Sequence, residues 1–166
     1  NYGMPVSPGE TGEIVLSGKN LFQAYWRNEE GTREAYTGGW FHTGDIGHQD
    51  EDGYYYVDER KKDVVISGGE NIYPAELENI LADCTDLLEA AVIGRPDERW
   101  GEIPVACVVR RPGSYIQSAD VLELFEGRLA RFKHPRSVIF LENLPRNTMG
   151  KVEKFTLRAK FEANGP

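Results

Sequence analysis

The sequence predicts an α+β fold: a small β-rich stretch over residues 1–60, then a compact domain over residues 61–166 in which a small sheet is covered by helices. Three observations predict it. Short β-branched and aromatic runs, broken by Gly and Asp-Gly turns, crowd the opening stretch. A dense charge run, Asp58-Glu59-Arg60-Lys61-Lys62-Asp63, then separates two apolar strands. Beyond it, strands and helical periodicity follow one another in the order β-α-β-β-α-β.

Pro8-Gly9-Glu10-Thr11-Gly12 is a turn cluster that opens onto a short strand, Glu13-Ile14-Val15-Leu16-Ser17. Asn28 to Tyr36 is polar and reads as a short helix before the turn at Thr37-Gly38-Gly39. Trp40-Phe41-His42-Thr43 is predicted to be a strand that ends at Gly44-Asp45. Asp50-Glu51-Asp52-Gly53 is a hairpin turn feeding Tyr54 to Val57, because Asp-Gly readily adopts the positive φ that such turns need. The charge run from Asp58 to Asp63 reads equally as a linker or a solvated turn.

Val64-Val65-Ile66 is a strand and Ser67-Gly68-Gly69-Glu70-Asn71 a tight loop. Pro74 opens an amphipathic helix, since its missing N–H falls where a helix has no partner for one; Leu77, Ile80 and Leu81 share a face. Leu88–Ile93 and Ile103–Val109 are strands. Ser118 to Phe132 is predicted to be a helix capped by Ser118 or Asp120, with Val121, Leu122, Phe125, Leu129 and Phe132 apolar. A β-like run from Ser137 to Leu141 and a helix-like tail from Phe155 to Phe161 follow.

Composition narrows the function. At 166 residues the chain makes one domain or two small ones, and 40% hydrophobic with 28% charged residues is the balance of a soluble globular protein. A net charge of -8 argues against nucleic-acid binding by bulk electrostatics. From Arg110 onward basic residues dominate locally, which suits either a small polyanion such as a nucleotide or a solvated face. Cys84 and Cys107 are far apart in apolar contexts, the pattern of a reduced, cytoplasmic protein without disulfides. His42, His48 and His134 lack metal-ligand spacing, so no metal site is expected. No apolar run has the length of a membrane span, and no signal-peptide pattern precedes Pro5. Asn1-Tyr2-Gly3-Met4-Pro5 reads like the interior of something larger.

Chemistry concentrates near the end, in Leu144-Pro145-Arg146-Asn147-Thr148-Met149-Gly150-Lys151. A Pro, a polar run and a Gly set Lys151 at the tip of a turn, where it could bring a compact charge to an anion; taken alone it reads as a solvated lysine. Lys154, one helical turn along, is expected to be solvated.

Together, Gly12-Glu13-Ile14 through Tyr25-Trp26, Trp40 through Asp45, Asp58 through Asp63, Ser67 through Pro74 and Pro145 through Lys151 resemble, in order and spacing, the C-terminal part of the adenylate-forming superfamily of acyl- and aryl-CoA synthetases. The resemblance implies that residues 1–60 are the β-rich end of a large AMP-binding domain, the rest of it absent here, and that 61–166 are a mobile C-terminal domain. It implies an ATP-dependent, AMP-forming acid–CoA ligase that makes an acyl-adenylate and then a thioester with CoA, with Mg²⁺ accompanying ATP. The alternatives are loading of a carrier-protein thiol and, for the isolated chain, a binding module without turnover. The isolated chain is expected to be inactive, because the phosphate loop and acid pocket of the superfamily are not among these residues.

Residue roles follow from the same resemblance. Lys151 would be the catalytic lysine, Asp45 and Arg60 nucleotide ligands, and Lys62 the hinge of domain alternation. An Asp at position 45 also suits turn capping. Gly68, Gly69, Glu70 and Trp100 would line the CoA thiol path, and Phe132, Lys133 and His134 would contact the CoA nucleotide. The glycines equally serve a tight turn, and Trp100 equally serves packing. An exposed Lys151 would further suit a lysine acetyltransferase, a modification read by mass spectrometry at that residue. Fatty, aryl and short dicarboxylic acids all lie within the resemblance.

Overall fold

The computed structural model describes residues 3–162, and the chain divides into two compact units, Asn1–Lys62 and Asp63–Pro166.

The first unit is an antiparallel sheet around one long strand. Its elements are β1 (Gly12–Leu16), α1 (Glu29–Ala35), β2 (Tyr36–Thr37), β3 (Trp40–Gln49) and β4 (Tyr55–Arg60). β1 pairs with β3 from Gly12 opposite Gly47 to Leu16 opposite Phe41; β2 and β4 also pair with β3. Asn28 caps α1 by accepting a 2.9 Å hydrogen bond from the Gly31 N–H. The β2–β3 turn rests on Gly38 and Gly39, with φ of 63° and 85°, the pair of positive angles that matches a tight hairpin to strand twist.

The strand predicted to end at Gly44-Asp45 does not end there. The strand that begins at Trp40 continues through Gly44-Asp45 to Gln49. Gly44 takes φ 71°, a kink that only bends the strand, because the Thr43 hydroxyl accepts from the Asp45 N–H at 3.0 Å and donates to the Ile14 carbonyl at 2.7 Å. Gly47 is required for a different reason: a Cβ there would fall 2.2 Å from the Tyr56 carbonyl oxygen. Phe22 sets its ring tilted or edge-on to Tyr25, Tyr36 and Phe41, with centroids 4.8–5.8 Å apart.

The second unit holds β5 (Val65–Ser67), β6 (Glu70–Ile72), α2 (Pro74–Ala82), β7 (Leu87–Asp97), β8 (Gly101–Arg110), α3 (Ser118–Glu123), β9 (Ser137–Leu141) and α4 (Lys154–Glu162). The sheet order is β6-β5-β8-β7, with β9 joined in parallel to β8. Side chains alternate along β7, so Val92 enters one core and Ala91 and Ile93 the other. The first core is closed by Leu77 and Leu81 of α2 with Val121 and Phe125; the second by Leu144 and by Leu157 of α4. Cys107 is fully buried in the second core, and burial pushes its thiol up to about 12. Asp63 is buried but paired, its carboxylate 2.9 Å from Arg158 of α4.

The predicted helix from Ser118 to Phe132 is also corrected. α3 stops at Glu123, and the chain goes on in turns with bonds such as Phe125 N–H to Leu122 O at 3.3 Å. Gly127 at φ 72° lets the chain leave the helical path, and this turn drops Phe125 into the core while Phe132 stays 44% exposed. The cap position is Gln117, whose N–H donates to Asp120 at 2.8 Å, so Asp120 lies in the first turn. Five basic side chains of the C-terminal stretch are paired within the unit: Arg128, Lys133, Arg146, Lys154 and Arg158 with Asp83, Glu76, Glu89, Glu78 and Asp63. Among the described residues, no helix is long and apolar enough to cross a membrane.

Candidate functional site

In the first unit the β3–β4 register sets Asp45 opposite Arg60. Arg60 Nε lies 3.0 Å from Asp45 Oδ1, and its Nη1 donates to the Thr43 carbonyl at 3.1 Å. The Asp45 side chain is 29% exposed and that of Arg60 56%, so a carboxylate acceptor and a multi-donor guanidinium are presented together at the surface. The sequence singled out both residues; the register explains why they meet. Lys62 is exposed in a 3₁₀ turn, Lys61–Asp63.

A second cluster escaped the sequence. Glu13 Oε2 is 3.0 Å from His42 Nδ1 and 2.8 Å from Lys61 Nζ. Burial alone would raise the Glu13 carboxyl, but hydrogen bonds from Lys61 and His42 outweigh it and hold it below the usual glutamate range. Glu13 and Lys61 are 48 positions apart, so only the pairing of β1 with β3 and of β3 with β4 could reveal them.

In the second unit the β5–β6 hairpin turns on Gly68 and Gly69, at φ 61° and 87°. The Gly68 N–H donates to the Trp100 carbonyl at 2.8 Å, and a Cβ on Gly68 would come within 2.9 Å of the Trp100 ring. Trp100 thus packs on the glycine turn and still leaves 38% of its surface exposed, with the Arg99 guanidinium 4.8 Å from the ring centroid. Glu70 is exposed beside them. Glu102 reaches back from β8 and accepts from the Ile66 N–H at 3.0 Å, which ties the hairpin to the sheet.

Phe132, Lys133 and His134 surround a 3₁₀ turn, Arg131–Lys133. Lys133 Nζ donates to both Glu76 oxygens, at 3.0 and 2.8 Å. The His134 side chain is 13% exposed, with Nε2 3.0 Å from the Leu129 carbonyl and Nδ1 3.8 Å from Glu126. Lys133 and His134 are therefore engaged within the fold, while Phe132 is presented outward.

The Lys151 turn is an ordered device. Gly150 N–H donates to Asn147 O and Asn147 N–H to Lys151 O, both at 2.9 Å. The Asn147 side-chain oxygen accepts from the N–H groups of Met149 at 3.0 Å and Lys151 at 2.9 Å. Gly150 takes φ 81°, and Arg146 and Val152 form a bridge across the base. Lys151 is left exposed at the end of this scaffold. Lys154 departs from expectation: its ammonium is 2.9 Å from Glu78 of α2 and its side chain only 15% exposed, so an ion pair to α2 takes up this lysine at the start of α4. Asn147 and Arg146 were visible in the sequence, but only the bends of the turn assign them their partners.

Residues 76–151, from α2 through the Lys151 turn, match the family described as the AMP-binding enzyme C-terminal domain. Over 156 residues the chain is 53% identical to an indoleacetate–CoA ligase of Aromatoleum aromaticum, an alignment that covers 94% of this chain and 31% of that protein. The chain thus carries the C-terminal domain of an AMP-binding enzyme over residues 76–151 and is similar to a CoA ligase over nearly all of its length. It is also 46% identical to a long-chain-fatty-acid–CoA ligase of Mycobacterium tuberculosis, over 93% of this chain and 31% of the relative. The crystal structure of ATP-bound MatB from Rhodopseudomonas palustris superposes with a TM-score of 0.89 at 44% identity, covering 95% of this chain and 31% of that one. The α+β fold is thus that of AMP-binding enzymes. The chain spans about a third of the length of the curated relatives it matches.

Proposed function

We propose that this chain serves an ATP-dependent, AMP-forming carboxylic acid–CoA ligase. The reading is carried by the Lys151 turn, a hydrogen-bonded scaffold that ends in an exposed ammonium and lies inside the segment matched to the AMP-binding family. The names of the relatives, CoA ligases for indoleacetate and long-chain fatty acids, support the reaction class.

In the first half-reaction a carboxylate oxygen attacks the α-phosphorus of ATP and pyrophosphate leaves. Two anions must approach each other, and the Lys151 ammonium offsets that repulsion where the charge shifts. Asp45 accepts from the ribose hydroxyls and Arg60 donates to the ribose and phosphate side, roles supported by their exposure and pairing. In the second half-reaction the CoA thiol attacks the acyl carbon and AMP leaves. Lys62 is the hinge between the two steps. Gly68 and Gly69 let the thiol arm pass close to backbone, with Glu70 and Trp100 beside them. Phe132, Lys133 and His134 lie on the CoA nucleotide side, with Phe132 as the exposed contact. Mg²⁺ would accompany ATP, bound through its phosphates.

The test is made on the full-length protein over a panel of carboxylic acids, following pyrophosphate release and thioester formation with and without CoA. Lys151→Ala should slow adenylation by at least ~10²-fold, by analogy with loss of a single transition-state donor. An unaffected variant would remove Lys151 from the chemistry. Pyrophosphate release without thioester would move the acceptor to a carrier-bound thiol.

A further inference from the structure

The turn that carries Lys151 is fastened from outside as well as from within. On its rising arm, Arg146 Nη1 donates to the Gly150 carbonyl at 2.5 Å, the peptide group directly before Lys151. The other amino group of the same guanidinium lies 3.0 Å from Glu89 Oε2, on β7. On the falling arm, Lys154 Nζ lies 2.9 Å from Glu78 Oε1 of α2, and that oxygen also accepts from the Val92 N–H of β7 at 2.7 Å. Leu144 and Leu157, buried in the core, bracket the segment. Both arms are thereby referred to one strand.

We infer that Glu89 and Arg146 form a positioning pair for Lys151, a role that rests on the ligase reading above. Glu89 holds one amino group of the guanidinium, and the other donates to the carbonyl that orients the Lys151 peptide. Arg146 and Glu89 are 42% and 33% exposed, and such a pair adds little to global stability. Its effect is therefore to be sought in the geometry of the turn. Asn147 closes the turn on itself, whereas Glu89 sets the closed turn relative to the sheet. The Lys154–Glu78 pair does the same for the opposite arm and keeps it in register when the Glu89 contact is lost.

The test uses Glu89→Gln, Arg146→Ala and the double variant. In the full-length protein, Glu89→Gln should lower the kcat of acid-dependent ATP–pyrophosphate exchange about tenfold, since a misplaced group near the chemistry costs up to ~10²-fold, and KM for ATP should stay within about twofold. The double variant should be no slower than Arg146→Ala alone, because both changes cut one connection. In the 166-residue chain, amide hydrogen exchange at Met149, Gly150 and Lys151 should quicken in Glu89→Gln. A drop in kcat with Arg146→Ala but none with Glu89→Gln would overturn the inference and make Arg146 a direct substrate ligand. Additive losses, or unchanged amide exchange in Glu89→Gln, would overturn it too. Absence of pyrophosphate exchange in wild-type protein would instead sink the ligase reading, and the amide-exchange arm would still decide whether Glu89 fastens the turn.

Discussion

The two units of this chain are held together by different means. Among the described residues, every buried hydrophobic side chain belongs to the second unit, from Val65 to Leu157. The first unit relies instead on strand pairing, a half-exposed aromatic cluster around Phe22, and the Glu13–His42–Lys61 contacts; Tyr54, Tyr55 and Val57 remain 66–70% exposed. Stability near Phe125 should therefore respond to volume, and stability near Glu13 to charge. The hydrophobic term is large and insensitive to acid, whereas the charged one titrates.

Three substitutions test that contrast. Phe125→Ala should cost about 3–5 kcal/mol of second-unit stability in urea unfolding, the range for emptying an aromatic core site. A loss below ~1 kcal/mol would mean that the turn around Gly127 collapses to fill the space. Glu13→Gln should cost the first unit about 1 kcal/mol at neutral pH, the scale of a partly exposed charge-assisted contact. Because the Glu13 carboxyl is held below its ordinary range, its contribution is fully present above the unfolded-state pKa and is lost as pH falls through the lower folded-state value. Acid unfolding of the first unit, followed through Trp26 and Trp40, should thus lose part of its pH dependence in Glu13→Gln, while Trp100 reports the second unit unchanged. Tyr55→Ser should change first-unit stability by less than about 0.5 kcal/mol, as for a surface side chain. A cost above that would show that the exposed aromatic strand is covered in solution.

What the sequence revealed depended on how local the cause was. Pro74 and the apolar spacing of Leu77, Ile80 and Leu81 announced α2, and Asp52-Gly53 announced its hairpin, because both signals act over a few residues. The helix predicted through Phe132 failed at a place where periodicity persists but the backbone leaves it: Phe125 and Leu129 are apolar because turns bury them, and helical spacing alone could not tell the two causes apart. β3 ran past Gly44-Asp45 because its partners, Ile14 and Arg60, lie far away in sequence. Asp45, Arg60, Gly68 and Lys151 could be named from motif order. Their fastenings could not, since Glu89, Glu78 and Glu102 look like ordinary surface acids until the sheet brings them alongside.

Cys107 turns the packing of β8 into a chemical clock. The reactive form of cysteine is the thiolate, and a thiol pushed up to about 12 with no exposed surface reacts negligibly while the fold is closed. Each opening of the second unit offers it to an alkylating reagent. With the partly buried Cys84 replaced by Ser, the rate of mass gain reports the population of the open second unit, without denaturant and without any knowledge of the substrate.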